Sequence, residues 1–142
     1  MDDDFFKIVS DDINIPAKDV KQFSPLVLAY VGDAVFELYV RTYLVSCGKA
    51  SVHTLHIRSI NYVKARAQAH IAHNILELLT DEEKDVLRRG RNAKSATVPK
   101  NADIGDYRYA TGFESLIGYL YLTKQYERLN SILKMSLENA DR

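Results

Sequence analysis

Apolar residues run almost unbroken from Leu26 to Val45, and beyond them they recur at helical spacing rather than alternating as in strands. Ser24-Pro25 opens the first element, a capping hydroxyl followed by proline at the first helical position. Gly48 sits where a C-terminal cap belongs, so the pattern predicts a first helix over about 25–46. A second is expected from after Ser51 to about Leu79, with Leu55, Ile60, Val63, Ala67, Ile71, Ile75 and Leu78 on its apolar face. Thr80-Asp81-Glu82-Glu83 reads as a capping box that opens a short helix to about Arg89. Gly90 to Gly105 lacks periodicity, contains Pro99 and reads as a loop. Asp106 is expected to cap a helix to about Leu122, and a last helix covers about 125–138. With no strand alternation, internal repeat or low-complexity linker, the fold class is all-α.

Composition narrows the setting. A chain of 142 residues, 46% hydrophobic, is long enough for one core and reads as a single domain over 1–142. Its one cysteine, Cys47, excludes an internal disulfide framework and fits a reducing compartment. The start, Met1-Asp2-Asp3-Asp4, is acidic where a signal peptide is basic, and no apolar run is long enough to span a bilayer. A cytoplasmic protein with no membrane partner is expected.

The formal charge of zero hides a polarised distribution. Residues 1–20 carry six Asp against two Lys. From Leu38 to Leu76 there is no acid, while Arg41, Lys49, Arg58, Lys64, Arg66 and all four histidines gather there. A second acid-free stretch holds Arg88, Arg89, Arg91, Lys94 and Lys100. Solvated basic faces account for one such run; two of them shift the balance toward a polyanionic partner. Arg88 and Arg89 also suit a helix C-terminus, where cations face the negative dipole end, an account that reaches Arg91 and Lys94 less easily.

Two carboxylates stand out against this background. Asp33 lies within Leu28-Ala29-Tyr30-Val31-Gly32-Asp33-Ala34-Val35, and Glu114 within Ala110-Thr111-Gly112-Phe113-Glu114-Ser115-Leu116-Ile117-Gly118. An ionised carboxylate in apolar surroundings is costly unless paired, hydrogen-bonded or bound to a metal. Gly32 beside Asp33, and Gly112 and Gly118 flanking Glu114, suggest two helices that cross closely on small residues. Such a crossing would bring the two acids to one divalent cation. Glu37, one turn beyond Asp33, either shares that face or pairs with Arg41.

These segments carry a resemblance. Val31-Gly32-Asp33-Ala34-Val35 resembles the signature helix of the ribonuclease III family, and Ala110 to Leu122 is similar to that family's second acidic helix. Arg89-Gly90-Arg91-Asn92-Ala93-Lys94 and Pro99-Lys100-Asn101-Ala102 resemble its short bacterial branch, Mini-ribonuclease III, a catalytic domain without a double-stranded-RNA-binding domain. The likeness runs from about Ser24 to the C-terminus. It implies a ribonuclease III-like helical bundle and a homodimeric, metal-dependent endonuclease that cuts duplex RNA and leaves 5′-phosphate and 3′-hydroxyl ends. It implies catalytic and metal-binding roles for Asp33 and Glu114, with Mg²⁺ as the ion and Mn²⁺ as a substitute. RNA contacts are expected from Arg88, Arg89, Arg91, Asn92, Lys94 and Lys100, and the implied substrate is precursor large-subunit ribosomal RNA. The chain departs from the family at Ala29 and Thr111, where the longer enzymes have a glutamate and an aspartate. Two protein ligands of four therefore remain, and more of the metal shell is expected to be water.

Rival readings are weaker. His53-x-x-His56 and His70-x-x-His73 could suggest zinc, but on one continuous helix His53 and His70 would lie about 25 Å apart. The acid-free stretch that holds them also lacks the His-Glu helix motif of zinc hydrolases. A non-catalytic RNA-binding or ribosome-associated module on the same fold would explain the two lost acids but not the survival of one on each helix. A purely structural dimerisation domain would explain the tyrosine- and leucine-rich helices but not the basic loop. Tyr30, Tyr39, Tyr43, Tyr107, Tyr109, Tyr119 and Tyr121 are expected as core and interface aromatics rather than base-stacking platforms.

Overall fold

The Ser24 hydroxyl accepts the Leu26 amide at 3.2 Å, and Pro25 follows as the first residue of a 22-residue helix, as the start signal predicts. The computed structural model describes residues 12–94, 98, 100 and 103–138. Their helices run in the order α1 (Ala17–Val20), α2 (Pro25–Ser46), α3 (Val52–Val63), α4 (Ala65–Ile75), α5 (Asp81–Asn92), α6 (Ile104–Leu122) and α7 (Tyr126–Glu138), with one 3₁₀ turn at Leu76–Leu78. No strand occurs among the described residues.

Helix α6 is the axis of the fold, in contact with α2, α4 and α5. Every residue from Ala110 to Leu120 is buried except Glu114, which is half-buried. A helix covered on nearly all sides is apolar all round, which is why its sequence shows no single apolar stripe. Phe36 of α2 and Phe113 of α6 meet edge to face at 5.1 Å between ring centroids, inside a core completed by Leu28, Val40, Ile71, Ile75, Leu116 and Leu129.

The close crossing expected from the glycines is present between α2 and α6. A Cβ added at Gly32 would overlap the Glu114 carbonyl oxygen and come within 2.8 Å of the Gly118 nitrogen. One added at Gly118 would overlap the Leu28 carbonyl oxygen. The buried Ser115 hydroxyl fastens the same crossing, lying 2.8 Å from both the Pro25 and the Thr111 carbonyl oxygens. Gly112 serves a different neighbour. It faces α5, where a Cβ on Gly90 would lie 2.8 Å from the Gly112 Cα. Gly90 is therefore a packing glycine rather than a helix stop, and α5 continues three residues past the expected end at Arg89, to Asn92.

The expected single helix from Ser51 to Leu79 is broken. Lys64 is extended (φ −65°, ψ 153°) and separates α3 from α4. Neither proline nor glycine marks the break, and the apolar spacing passes through it undisturbed. Its reason is tertiary, since α3 packs against α2 whereas α4 packs against α6. Asp103, not Asp106, caps α6 by accepting the Asp106 amide at 2.9 Å. The capping box at Thr80 and Glu83 forms in full, and Gly48 follows α2 with φ 130°. Glu83 is also gripped by Arg128 of α7 through two bonds of 2.8 Å, which hold its carboxyl below the usual carboxylate range although its burial opposes this.

Candidate active site

The α2–α6 crossing fixes the surroundings of Asp33, the residue after Gly32 on α2. With the two backbones in contact at the glycine, Asp33 lies near enough to Glu114 of α6 to act on its carboxyl. Asp33 is exposed to solvent and Glu114 is half-buried. The Glu114 carboxyl is pushed up to about 8, first by burial, then by the charge of Asp33 and a hydrogen bond with it. Burial and the neighbouring negative charge of Asp33 together keep the Glu114 carboxyl protonated well above the ordinary carboxylate range.

Gln68 of α4 completes the arrangement. Only 2% of it is exposed, and its Nε2 donates to Glu114 Oε2 at 3.4 Å, which opposes the upward shift by favouring the ionised carboxylate. No motif marks Gln68; the one available signal was an amide inside the small apolar run Ala67-Gln68-Ala69. Glu37 realises both alternatives left open by its spacing. Its Oε1 pairs with Arg41 at 3.3 Å, and its charge adds to the upward pressure on Glu114.

The donor set suits a hard divalent cation. Asp33 and Glu114 offer only oxygen, and Gln68 holds one of those oxygens in place. Among the described residues no group of three His, Cys, Asp or Glu converges on a point that could hold a metal, so the protein's share of any shell is small. Ala29 and Thr111 add nothing to it. Ala29 is buried, and the buried Thr111 hydroxyl donates to the Tyr107 carbonyl oxygen at 3.0 Å. The break at Lys64 removes the continuous-helix premise applied to the histidines. His70 instead shares a 3.0 Å hydrogen bond with Asn74, and His73 stacks on Tyr109.

The basic residues fall into two groups. Arg88 pairs with Asp85 one turn earlier, and Arg89 donates to the Lys21 carbonyl oxygen at 3.4 Å, so both have structural partners. Arg91 and Asn92 form the last turn of α5, where Arg91 Nε donates to Asn92 Oδ1 at 3.2 Å. Lys94 and Lys100 are exposed beyond it. Pro99, Asn101 and Ala102, which carried part of the resemblance, lie outside the described residues, as do residues 1–11 of the acidic segment at 1–20.

Burial of the tyrosines is uneven. Tyr119 is buried, with its hydroxyl on Glu82, which raises the phenol to about 12 chiefly through burial. Tyr39, Tyr107, Tyr109 and Tyr121 are half-buried, and Tyr43 is exposed. Tyr30, in the middle of the signature segment, is 82% exposed, which overturns its assignment to the core while leaving an interface role open. No helix among the described residues is long and apolar enough to cross a membrane.

Comparisons with known proteins agree with the all-α fold. The Ribonuclease III domain family matches residues 26–125. A Mini-ribonuclease 3 from a Thermoanaerobacter species is 53% identical over 84% of this chain and 84% of its own. Another from Enterococcus faecalis is 51% identical over 85% of this chain and 93% of its own. A crystallised protein from Fusobacterium nucleatum superposes with a TM-score of 0.76 at 32% identity, covering 84% of this chain and 96% of that one.

Proposed function

The chain belongs to the ribonuclease III family, in its Mini-ribonuclease III branch, and from that premise we propose that Asp33 and Glu114 are the catalytic and metal-binding pair of a double-stranded-RNA endoribonuclease. The observation that carries the assignment is the crossing that sets Gly32 against the Glu114 backbone, which brings Asp33 near enough to help raise the Glu114 carboxyl to about 8.

A bound Mg²⁺, or Mn²⁺ in its place, would supply an activated water and offset charge on the scissile phosphate. The chain's own residues prepare that chemistry. Asp33 faces solvent, so the substrate side of the site is open. Glu114 accepts a hydrogen bond from Gln68 on its buried side, which orients one carboxylate oxygen. A cation held there would offset the same burial and repulsion that raise the Glu114 carboxyl. Hydrolysis in this reading leaves 5′-phosphate and 3′-hydroxyl ends.

Arg91, Asn92, Lys94 and Lys100 provide phosphate contacts at the end of α5 and beyond, with Arg88 and Arg89 contributing charge from positions already tied to Asp85 and Lys21. Duplex RNA is recognised mainly by shape and backbone, so sequence preference is modest and binding strongly salt-dependent. A homodimer suits two strands cut by two sites. Its face is the exposed stripe of α2 on which Leu26, Val27, Tyr30, Leu38 and Val45 fall within one third of the helix circumference, with the Glu37–Arg41 ion pair between Tyr30 and Val45. The finer substrate is precursor large-subunit ribosomal RNA, by likeness to the branch, and the compartment is the cytoplasm, where the exposed Cys47 stays reduced.

Digestion of a defined duplex RNA with Mg²⁺ or with EDTA, and then mapping of both strands' ends, tests this reading. Staggered Mg²⁺-dependent cuts are expected. Binding without any nicking would instead assign the fold to a non-catalytic RNA-binding module, the reading favoured by Ala29 and Thr111.

A further inference from the structure

Arg91, Tyr109 and His73 come from three different helices and meet in one stack. The Tyr109 ring of α6 lies 4.1 Å from the His73 ring of α4, centroid to centroid, at a tilt of 41°. On α5, the Arg91 guanidinium carbon is 5.5 Å from the Tyr109 centroid, and Arg91 Nη1 donates to the Tyr109 hydroxyl at 3.3 Å. Cation–π attraction and one hydrogen bond therefore hold the guanidinium in a fixed orientation.

This arginine is held by a ring and two hydrogen bonds rather than by a carboxylate. Arg41, Arg88 and Arg128 each pair with a carboxylate, on Glu37, Asp85 and Glu83 respectively. Among the described residues no carboxylate pairs with Arg91. A guanidinium carries five N–H donors, and the bonds to Tyr109 and Asn92 occupy two of them. His73 is exposed, and even a neutral imidazole retains one N–H donor. A preoriented, unneutralised fork beside a second donor is suited to a phosphate, which arginine can engage through two parallel bonds.

The location connects this stack to the carboxylates. Gln68 and Glu114 meet on α4 and α6, and His73 and Tyr109 meet on the same two helices, each five residues away. Five residues correspond to a rise of about 7.5 Å. Helices α4 and α6 thus carry Gln68 and Glu114 at one level and His73 and Tyr109 at the next.

We propose that Arg91, Tyr109 and His73 form a phosphate clamp for one strand of duplex RNA, with Tyr109 as the platform and Arg91 and His73 as the donors. The clamp rests on the duplex-RNA reading and sharpens it, because it separates Arg91 from Arg88 and Arg89 in role. Phosphate is the ligand rather than a base edge, since a guanidinium fork matches it with two parallel bonds and duplex RNA is recognised mostly by shape and by 2′-hydroxyl and phosphate contacts.

Fluorescence anisotropy of a labelled duplex RNA in EDTA, where the strands stay uncut, measures the clamp without cleavage. In Arg91→Gln the slope of log affinity against log salt is expected to fall by about 1. Arg91→Lys is expected to keep the slope but bind less tightly, because an ammonium cannot form the paired bonds. Tyr109→Leu and His73→Ala are expected to weaken binding, with Tyr109→Phe milder than Tyr109→Leu. Thermal unfolding of each variant gives the structural comparison. Wild-type affinity and slope in Arg91→Gln overturn the clamp, as does a lowered melting temperature with unchanged RNA binding, which assigns the stack to anchoring α5. Weakening in Arg91→Gln alone, with Tyr109→Leu and His73→Ala unaffected, also overturns it in favour of a lone arginine. A wild-type protein that binds no duplex RNA overturns the underlying reading as well.

Discussion

Gly32 lies against the main chain of Glu114, so closely that a Cβ on the glycine would overlap the Glu114 carbonyl oxygen. The relationship is between backbones, but its consequence is chemical. It sets the separation of α2 and α6 at the point where each helix presents its acid, and so makes the Asp33–Glu114 contact a property of helix packing rather than of flexible side chains.

Gly32→Ala is therefore expected to damage stability and activity together. The obstacle is backbone, with no side chain that could move aside, so the helices must separate. Overpacking of this kind costs about 1–3 kcal/mol, and Gly118→Ala, which meets the Leu28 carbonyl oxygen, should behave alike. Urea unfolding measures the loss. A wild-type midpoint in Gly32→Ala would show that the two backbones have room to spare at the crossing.

The raised carboxyl of Glu114 makes a prediction about pH. Its value of about 8 in the folded protein lies above the ordinary 4.5. The folded state therefore binds a proton that the unfolded chain has lost, and this contribution to stability is fully present below about pH 4.5. It declines as pH rises and is gone above about 8. Without divalent cations, the Glu114 contribution should thus fall across that window. Glu114→Gln should flatten the decline, as should saturating Mg²⁺, and melting curves at several pH values in EDTA and in Mg²⁺ would reveal it.

The same pair predicts the effect of neutral isosteres on cleavage. Asp33→Asn and Glu114→Gln each leave one carboxylate where two are needed, and should lower the rate on duplex RNA by roughly two to three orders of magnitude. Because neither changes side-chain volume appreciably, the dimer should persist. Near-wild-type cleavage by either variant would sink the two-carboxylate mechanism.

How much of this was legible in the chain depended on whether a feature is local. Caps are local, and Ser24-Pro25, Thr80 with Glu83, and Gly48 marked their helix ends. The crossing was also legible, because glycine in a helix has few other reasons to be there. The break at Lys64 was hidden, since the two halves of that segment are set by different partners, α2 and α6, and not by their own residues. Gly90 misled for a related reason. A glycine that ends a helix and one that admits a neighbouring backbone look the same until Gly112 is placed opposite it. Gln68 was hidden because a buried polar residue is recognisable only by what it touches.

Gln68 should prove a positioning residue. In Gln68→Leu one Glu114 oxygen loses its donor inside a buried setting, and the carboxylate is no longer held toward Asp33. Partners that orient a metal-binding carboxylate typically contribute about 10–100-fold to metal affinity or activity. The expected signature is a higher Mg²⁺ concentration for half-maximal cleavage with little change in RNA affinity measured in EDTA. Equal losses in both would mean that Gln68 acts through the fold.

The exposed face of α2 yields the last prediction. Tyr30 is 82% exposed within a segment whose neighbours Leu28, Ala29 and Gly32 are buried, and Val45 on the same stripe is 62% exposed. A large exposed aromatic beside Leu26 and Val27 has the character of an interface hot spot, with truncation costs of at least about 2 kcal/mol. Tyr30→Glu adds an unpaired charge to that loss, so the dimer dissociation constant should rise by about 30-fold or more. Sedimentation velocity over a concentration series measures it. Cleavage should respond in a particular way, because Asp33 and Glu114 remain intact in the monomer. Paired staggered cuts on the two strands should give way to isolated nicks, a change that end-mapping on a long duplex distinguishes from a simple loss of rate. An unaltered dimer in Tyr30→Glu would move the interface away from α2.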